Sequence, residues 1–346
     1  MILDGKDPAS VARAADLLEA GELLAFPTET VYGLGARADD DTATARIFAA
    51  KGRPSDHPLI VHVVDAEHAQ AFAAQPGGWP PLAQRLAAAF WPGPLTLIVP
   101  RREGIGAAAA GGQASIGLRC PAHPLARALL VECARRGVPG VAGPSANRFG
   151  RVSPTTAAHV ADEFGDSIAV LDGGACEVGI ESAIVDCTRG RPVLLRPGAL
   201  TREQLAGAAG EALADPDAQA PRASGTLEAH YAPRATVRLM PSQALADAAT
   251  IWIDARAAAG RRAGSAPGLA VYSRTVRLPR AAAEWGLVSR QMPDSARAAA
   301  FELFGVLREF DALGVGLIWV EQPPAGGEWD GVRDRLERAA AASRSP

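Results

Sequence analysis

Apolar residues recur at two spacings along the N-terminal part of the chain, and they predict helices that alternate with strands. Recurrence every three to four residues predicts helices at Ser10–Ala20, Thr42–Ala50, Pro81–Phe90, Pro124–Arg135 and Thr155–Phe164. Short apolar runs predict strands at Leu23–Phe26, Leu59–Val64, Leu95–Val99, Ser115–Arg119, Gly137–Ala142, Ile168–Leu171, Ala183–Asp186 and Pro192–Arg196. This alternation indicates an α/β domain, and the late cluster of strands favours a mixed sheet.

The composition changes to Ala, Asp, Pro, Gln, Gly and Ser at 208–226, which is typical of a linker. A second alternating pattern follows, with strands predicted at Thr236–Leu239, Thr250–Ile253, Leu269–Tyr272 and Gly316–Val320 and helices at Ser242–Ala248, Asp294–Leu313 and Trp329–Arg344. It predicts a small Rossmann-like α/β domain. We therefore expect one domain at 1–207, a linker at 208–235 and a second domain at 236–346.

The composition limits the classes of function. The chain has 346 residues, 48% hydrophobic and 21% charged, which is enough apolar material for a substantial core. A net charge of −3 argues against binding to nucleic acid through bulk positive charge. No apolar run approaches the ~20 residues of a membrane helix, and the N-terminus lacks an apolar signal core. The chain is predicted to be cytoplasmic.

Cysteine and lysine usage excludes several kinds of site. The four cysteines have no C-x-x-C pairing, so reduced structural thiols are expected at Cys120, Cys133, Cys176 and Cys187. Of 35 basic residues only two are lysines, Lys6 and Lys51. Neither lies in a Walker phosphate loop or in a kinase V-A-I-K strand, so both classes are excluded. Lys6 is expected to be exposed, which leaves Lys51 as the lysine that a site could use.

Polar residues cluster where predicted strands end, and α/β folds place ligands there. The clusters lie at Phe26–Gly35, Lys51–His62, Gly143–Thr155, Gly179–Asp186 and Leu194–Gly198. A strand-end pair of Ser115 and Arg119 resembles them. No nucleophile–base pair accompanies these groups, and the absence of S-x-x-K excludes a β-lactamase site. The pattern favours a pocket for an anionic small molecule over a hydrolase.

Individual residues in these clusters have two interpretations. Lys51 and Arg53 flank a glycine and could hold one polyanion, as a compact charge and a bidentate fork, or could form a solvated turn. His62 lies in a β-branched run, where a lone histidine is more often a core residue than a ligand. Ser153 and Thr155 can cap a helix whose free N–H groups would attract an anion.

Taken together, the motifs resemble the threonylcarbamoyl-AMP synthase family with its YrdC-like catalytic domain. The resemblance runs through P-T-E-T-V-Y-G-L-G, K-G-R-P, P-L-I-V-H-V, W-P-G-P-L-T, G-P-S-A-N, S-P-T, E-S-A-I-V-D and L-R-P-G, in that order. The run H-Y-A-P, beginning at His230, resembles the interdomain linker of the long, two-domain form. The resemblance implies a YrdC-like mixed twisted sheet with flanking helices, followed by a smaller Rossmann-like domain.

The resemblance also implies an activity: synthesis of L-threonylcarbamoyl-adenylate and pyrophosphate from L-threonine, bicarbonate and ATP, with Mg²⁺ accompanying ATP. The product would pass to a downstream threonylcarbamoyl transferase that modifies tRNA beside the anticodon, and weak contact with tRNA itself is an open alternative. Threonine-contacting positions correspond to Thr30, His62, Arg119, Gly143 and Ser182. Nucleotide-contacting positions correspond to Lys51, Arg53, His57, Ser115, Ser145, Asn147, Ser153, Arg196 and Tyr231. The resemblance assigns the catalytic role to Lys51 and Arg53. It implies no metal ion bound by protein side chains.

The chain departs from the family pattern at three places. His57 stands where the family usually has Asn, Gly143 replaces a more usual small or hydroxyl residue, and the linker lacks the family's P-G-M-K-Y run. Two other classes remain as alternatives. One is an RNA-binding module, against which the balanced charge argues. The other is a carbamoyltransferase accessory domain, against which the absence of zinc-finger and acylphosphatase segments argues.

Overall fold

The computed structural model describes residues 1–74, 79–260 and 267–343, and its contacts divide the chain into two compact units. The first unit comprises Met1–Phe149 and Ser153–Thr226, and the second comprises Gly150–Val152 and Leu227–Pro346. The segment predicted as a linker is therefore shared between them. Its first part, 208–226, belongs to the first unit, where Ala209 and Leu213 are buried in the core and Ala214 forms a bridge with Val193.

The first unit is built on a ten-stranded mixed sheet. Its strands are β1 (Ile2–Asp4), β2 (Leu24–Phe26), β3 (Gly33–Arg37), β4 (Ile60–His62), β5 (Leu95–Pro100), β6 (Ser115–Arg119), β7 (Val141–Ala142), β8 (Ala169–Asp172), β9 (Ala183–Asp186) and β10 (Val193–Arg196). They lie in the order β1-β8-β2-β3-β7-β4-β6-β5-β9-β10. Parallel pairs such as β4–β6 and β5–β9 alternate with antiparallel pairs such as β5–β6, which confirms the predicted mixed sheet.

Seven α-helices accompany this sheet in the described residues. They are α1 (Pro8–Glu19), α2 (Asp41–Lys51), α3 (Ala66–Ala69), α4 (Pro81–Phe90), α5 (Pro124–Arg135), α6 (Ala157–Phe164) and α7 (Arg202–Ala209). The side chain of Asp40 caps α2 by accepting from Thr42 N and Ala43 N, and Gly52 ends that helix in the left-handed conformation (φ +63°). This defined end places Lys51 and Arg53 on either side of a sharp turn.

The second unit has a four-stranded, all-parallel sheet in the order β11-β14-β12-β13. The strands are β11 (Thr236–Met240), β12 (Leu269–Ser273), β13 (Leu287–Gln291) and β14 (Leu317–Glu321), and the helices are α8 (Ser242–Ala258), α9 (Ala296–Ala312) and α10 (Asp330–Ala342). Parallel strands connected by helices agree with the predicted Rossmann-like pattern. Strand β13 was not predicted, because its outer half, Ser289–Gln291, is polar and exposed.

One sequence prediction in this unit is wrong. Thr250–Ile253 is not a strand: it continues α8, which runs unbroken from Ser242 to Ala258. Leu245 and Ala249 are buried, and Trp252 and Ile253 pack against the same cluster. These spacings of three, four and seven residues place the side chains on one helical face, so tertiary packing prevails over the β-branched composition of the short run.

Two further expectations concern burial. The four cysteines are free and buried, and burial raises their pKa values, to about 12 for Cys133 and Cys176. They are therefore free thiols packed in the protein interior, as predicted. Lys6 is exposed, also as predicted. Among the residues that the structure describes, none of the helices combines the length and the apolar character that crossing a membrane requires.

Candidate active site

The central strands bring four of the five predicted threonine-contacting residues, Thr30, His62, Arg119 and Gly143, to one region of the first unit. His62 ends β4 and Arg119 ends the neighbouring parallel strand β6, and the two residues are paired in register. On its other side His62 is paired with Val141 of β7, two residues before Gly143. Parallel strands end at the same edge of a sheet, which is why residues far apart in sequence meet here.

Arg119 lies at the centre of a buried polar cluster with the P-T-E-T loop. Its Nη1 donates to the Thr30 hydroxyl at 2.8 Å, and its Nη2 donates to Glu29 Oε1 at 2.6 Å. Arg119 is 3% exposed and Glu29 is 5% exposed, so this ion pair is shielded from water. Glu29 Oε2 also accepts from Ala122 N at 3.0 Å. The cluster presents a fixed guanidinium, the group that binds a carboxylate best.

The hydroxyl of Thr30 has a defined hydrogen direction. Thr28 Oγ1 donates to Val31 O at 2.7 Å, and it lies 2.8 Å from Thr30 Oγ1. Since a hydroxyl has only one hydrogen, the hydrogen between the two threonines comes from Thr30. Thr30 therefore donates to Thr28, accepts from Arg119 and presents its remaining lone pair as an acceptor.

His62 is buried against Gly143 and Phe26. Burial, followed by the nearby charge of Arg119, lowers the pKa of His62 to about 3, so the imidazole is neutral. Its Nδ1 is buried and makes no hydrogen bond within the described part of the chain. A Cβ atom added at Gly143 would lie 3.0 Å from that nitrogen and 3.1 Å from the Phe26 ring. A side chain at position 143 would therefore crowd the imidazole edge, and glycine avoids this contact.

Ser182 and Arg196 form a second buried group. The Ser182 hydroxyl shares a 2.8 Å hydrogen bond with the hydroxyl of Thr96 on β5. Arg196, at the end of β10, donates to Ser182 O through Nε (3.1 Å) and Nη2 (2.8 Å), and to the Ser224 carbonyl through Nη1 (2.8 Å). These contacts hold the start of β9 in place, so Arg196 has a structural function besides any contact with a nucleotide.

Lys51 is bound to the G-P-S-A-N loop. Its ammonium group donates to Ser145 O at 2.6 Å and also to Asn147 O, and the side chain is 3% exposed. Burial, followed by the charge of Arg53, lowers the pKa of Lys51 well below its usual value. The lysine therefore connects the end of α2 to the loop that carries the serine and the asparagine of the motif.

Arg53 and His57 flank the ring of Phe149. The Arg53 guanidinium carbon lies 5.7 Å from the Phe149 ring centre, within range of a cation–π contact, and Nη2 donates to Pro58 O at 2.9 Å. The His57 and Phe149 rings lie 5.5 Å apart, tilted by 60°. Partial burial, followed by the charge of Arg53, lowers the pKa of His57. The group therefore combines an aromatic ring with a cation, the two features that base stacking and phosphate binding use.

The remaining nucleotide-contacting candidates fall into both units. Ser153 is fully buried and donates to Glu181 Oε1, and Ser115 begins β6 in a half-buried position. Tyr231 lies in the second unit, with φ at +61°, and the residue is 1% exposed. There it stacks on Phe304 with the ring centres 5.5 Å apart. The rare backbone conformation of Tyr231 marks it as a constrained residue of the linker motif.

The structure adds four residues that sequence reasoning did not assign. Glu29 and Glu181 are buried carboxylates, Thr96 meets Ser182, and Phe149 lies between Arg53 and His57. The available signal for the two glutamates was a carboxylate next to hydroxyl residues at one end of a predicted buried strand, because a charged residue is rarely buried without a partner. The described residues contain no group of three or more His, Cys, Asp or Glu side chains that could hold a metal ion.

Comparisons with known proteins cover both units. A family model described as telomere recombination matches residues 16–198, and one described as the C-terminal domain of threonylcarbamoyl-AMP synthase matches residues 200–341. A threonylcarbamoyl-AMP synthase of Pyrococcus abyssi is 44% identical over 230 residues, or 65% of this chain and 66% of that protein. A threonylcarbamoyl-AMP synthase of Schizosaccharomyces pombe is 30% identical over 365 residues, and this match covers 96% of this chain and 88% of that protein. The crystal structure of P. abyssi Sua5 with L-threonine is similar at a TM-score of 0.84 and 33% identity, covering 99% of this chain and 98% of that one.

Proposed function

The chain belongs to the threonylcarbamoyl-AMP synthase family, and we propose that its first unit carries out the family's reaction with the residues described above. The chain forms L-threonylcarbamoyl-adenylate and pyrophosphate from L-threonine, bicarbonate and ATP. The product serves the N6-threonylcarbamoyladenosine modification of tRNA beside the anticodon.

The observation that carries the assignment of the threonine site is the contact between Arg119 and Thr30. These residues are 89 positions apart, and they meet at 2.8 Å in a buried cluster. Arg119 supplies N–H donors for the substrate carboxylate, and the Thr30 oxygen accepts from a donor on the substrate. The neutral His62 supplies a buried ring nitrogen beside Gly143, and Ser182 supplies a second hydroxyl. A solved relative, P. abyssi Sua5, is described in complex with L-threonine, which supports this assignment.

The ATP site follows from the second group of residues. Lys51 uses two of the three N–H groups of its ammonium on the carbonyls of Ser145 and Asn147, so one donor remains for the phosphates within the described contacts. Arg53 supplies a second cation next to the Phe149 ring. The other nucleotide contacts proposed for this site, all in the first unit, are His57, Ser115, Ser145, Asn147, Ser153 and Arg196.

The chemistry proposed here is catalysis by positioning. The threonine amine attacks the carbon of bicarbonate, a C–O bond breaks and water leaves, which gives threonine carbamate. The new carboxylate then attacks the α-phosphate of ATP, and the bond to pyrophosphate breaks as pyrophosphate leaves. Lys51 and Arg53 offset the charge that develops on the phosphates. Mg²⁺ enters as part of the MgATP substrate, because this ion binds phosphate oxygens and keeps several of its waters.

Three parts of the proposal concern the cell. The adenylate passes to a downstream threonylcarbamoyl transferase, since a mixed anhydride is a reactive carrier that another enzyme must consume. Any direct contact with tRNA is weak, in agreement with the net charge of −3. The reaction takes place in the cytoplasm, where ATP and tRNA are available.

The deciding experiment is a mass spectrum of the product formed from ATP, L-threonine and bicarbonate by the purified chain. We expect threonylcarbamoyl-adenylate, together with pyrophosphate release that requires all three substrates. ATP hydrolysis that is independent of threonine would contradict the proposal. Tight, salt-sensitive tRNA binding without adenylate formation would support the RNA-binding alternative instead.

A further inference from the structure

We infer that Glu29 is a positioning residue for L-threonine: it orients the Arg119 guanidinium so that two N–H groups remain for the substrate carboxylate. The inference rests on the proposed function, because it takes Arg119 as the group that binds this carboxylate. Glu29 acts through Arg119 and is not itself proposed to touch the substrate.

The contacts of Arg119 account for three of its five N–H groups. Nε donates to Gly93 O at 3.3 Å, Nη1 donates to Thr30 Oγ1 at 2.8 Å, and Nη2 donates to Glu29 Oε1 at 2.6 Å. Two N–H groups remain within the described contacts, one on each terminal nitrogen. A carboxylate that binds an arginine in the bidentate mode needs that number.

Glu29 is itself held in one orientation. Oε1 accepts from Arg119 and Oε2 accepts from Ala122 N at 3.0 Å, while the main-chain carbonyl of Glu29 accepts from Val178 N at 2.7 Å. The backbone of the P-T-E-T loop and both carboxylate oxygens are therefore restrained. Because the pair is 3% and 5% exposed, water cannot replace Glu29 as the partner of Nη2.

This geometry makes the substitution Glu29→Gln informative. Both partners of the carboxylate are N–H donors, so an amide of the same shape must turn its NH₂ group toward one of them. Either Arg119 or Ala122 N then loses its acceptor and faces another donor. A guanidinium without its anchor samples several orientations, and a substrate bound through it is positioned less well.

The experiment measures steady-state kinetics and L-threonine binding by calorimetry for the full chain and for Glu29→Gln. We expect the KM for threonine and the dissociation constant to rise about tenfold, while the KM for ATP stays within about twofold. The matched control is Asp186→Asn. Asp186 is a fully buried carboxylate in the same unit that accepts from Thr188 N (2.9 Å) and pairs with Arg189 (2.9 Å).

The control separates positioning from general stability. Asp186→Asn is expected to lower the melting temperature without changing the ratio of the two KM values. If Glu29→Gln does not fold, Glu29→Asp replaces it, because aspartate keeps the charge on a shorter side chain. For this variant too we expect the KM and the dissociation constant for threonine to rise while the KM for ATP stays unchanged. Unchanged threonine affinity in a folded variant, or equal losses for threonine and ATP, would overturn the inference. Calorimetry reads the threonine site without turnover, so a failure of the proposed reaction in the parent chain is a separate result.

Discussion

The ammonium group of Lys51 donates a hydrogen bond of 2.6 Å to the main-chain carbonyl of Ser145. A second bond, to the carbonyl of Asn147, comes from the same group. The lysine thus orders the loop that carries both residues, and it does so from a buried position at the end of α2. A compact ammonium can approach two carbonyls at once, whereas a planar guanidinium has a different donor geometry.

Replacing Lys51 is therefore expected to impair ATP use in two ways. Lys51→Met removes the remaining phosphate donor and both hydrogen bonds that Lys51 donates to the carbonyls of Ser145 and Asn147, so we expect kcat/KM for ATP to fall by about 100-fold or more. For Lys51→Arg we expect kcat/KM for ATP to fall about tenfold, because the planar guanidinium does not fit between the two carbonyls. The rate of pyrophosphate release at varied ATP concentration measures kcat/KM for both variants.

The chain offers a natural control for this prediction. Lys6 is the other lysine and is exposed, so Lys6→Met should leave the kinetics unchanged. Retained ATP turnover in Lys51→Arg would mean that a lysine at this position reflects only the composition of the chain.

Phe149 is expected to set the affinity for ATP through its ring. The ring lies beside both Arg53 and His57, and Phe149→Leu keeps the volume roughly but removes the π face. We expect the KM for ATP to rise about fivefold, with the KM for threonine unchanged. Phe301→Leu, at an exposed ring on α9, is the control. A parallel rise for both substrates would point to a folding defect instead.

The histidine in place of the family's usual Asn predicts a specific pH dependence. Partial burial, followed by the charge of Arg53, lowers the pKa of His57 below its ordinary 6.5, so the ring is neutral at pH 7.5. His57→Asn should then leave the KM for ATP within about twofold at that pH. Below the lowered pKa, protonation adds a cation near the polyphosphate, and the parent should bind ATP more tightly than the variant. If the KM for ATP has the same pH dependence in the parent and in His57→Asn, protonation of His57 does not affect ATP binding.

Acid stability should depend on His62. The pKa of this residue is about 3 in the folded chain, because of burial and the charge of Arg119, against 6.5 ordinarily. Between these values the unfolded chain binds a proton that the folded chain does not, so stability falls as the pH is lowered. Between pH 7 and pH 5 the titration of His62 lowers the free energy of unfolding by about 2 kcal/mol.

Urea unfolding of the first unit at the two pH values measures this loss. His62→Gln should show a smaller acid destabilisation than the parent. If the free energy of unfolding falls equally between pH 7 and pH 5 in His62→Gln and in the parent, the low pKa of His62 is contradicted.

Several features of the fold could be predicted from the sequence. Helices α4 and α5 and strands β6 and β9 have the bounds that hydrophobic spacing predicted, since Pro, Gly and capping residues mark their ends. Strands β1 and β3 were missed. The first is only three residues long, and the second, Gly33–Arg37, contains two glycines and has few β-branched residues.

The sequence by itself determined the class of fold, the order of the motifs and the candidate residues, because periodicity and turn chemistry act over a few neighbouring positions. Only the tertiary structure decided that Thr250–Ile253 is helical and that Glu29 pairs with Arg119, 90 positions away. It also assigned two of the Lys51 donors to carbonyls that lie 94 and 96 positions along the chain. Strand pairing brings these groups together, and burial removes the water that would otherwise compete for them. The charge partners in the site are therefore properties of the folded sheet, which no local pattern contains.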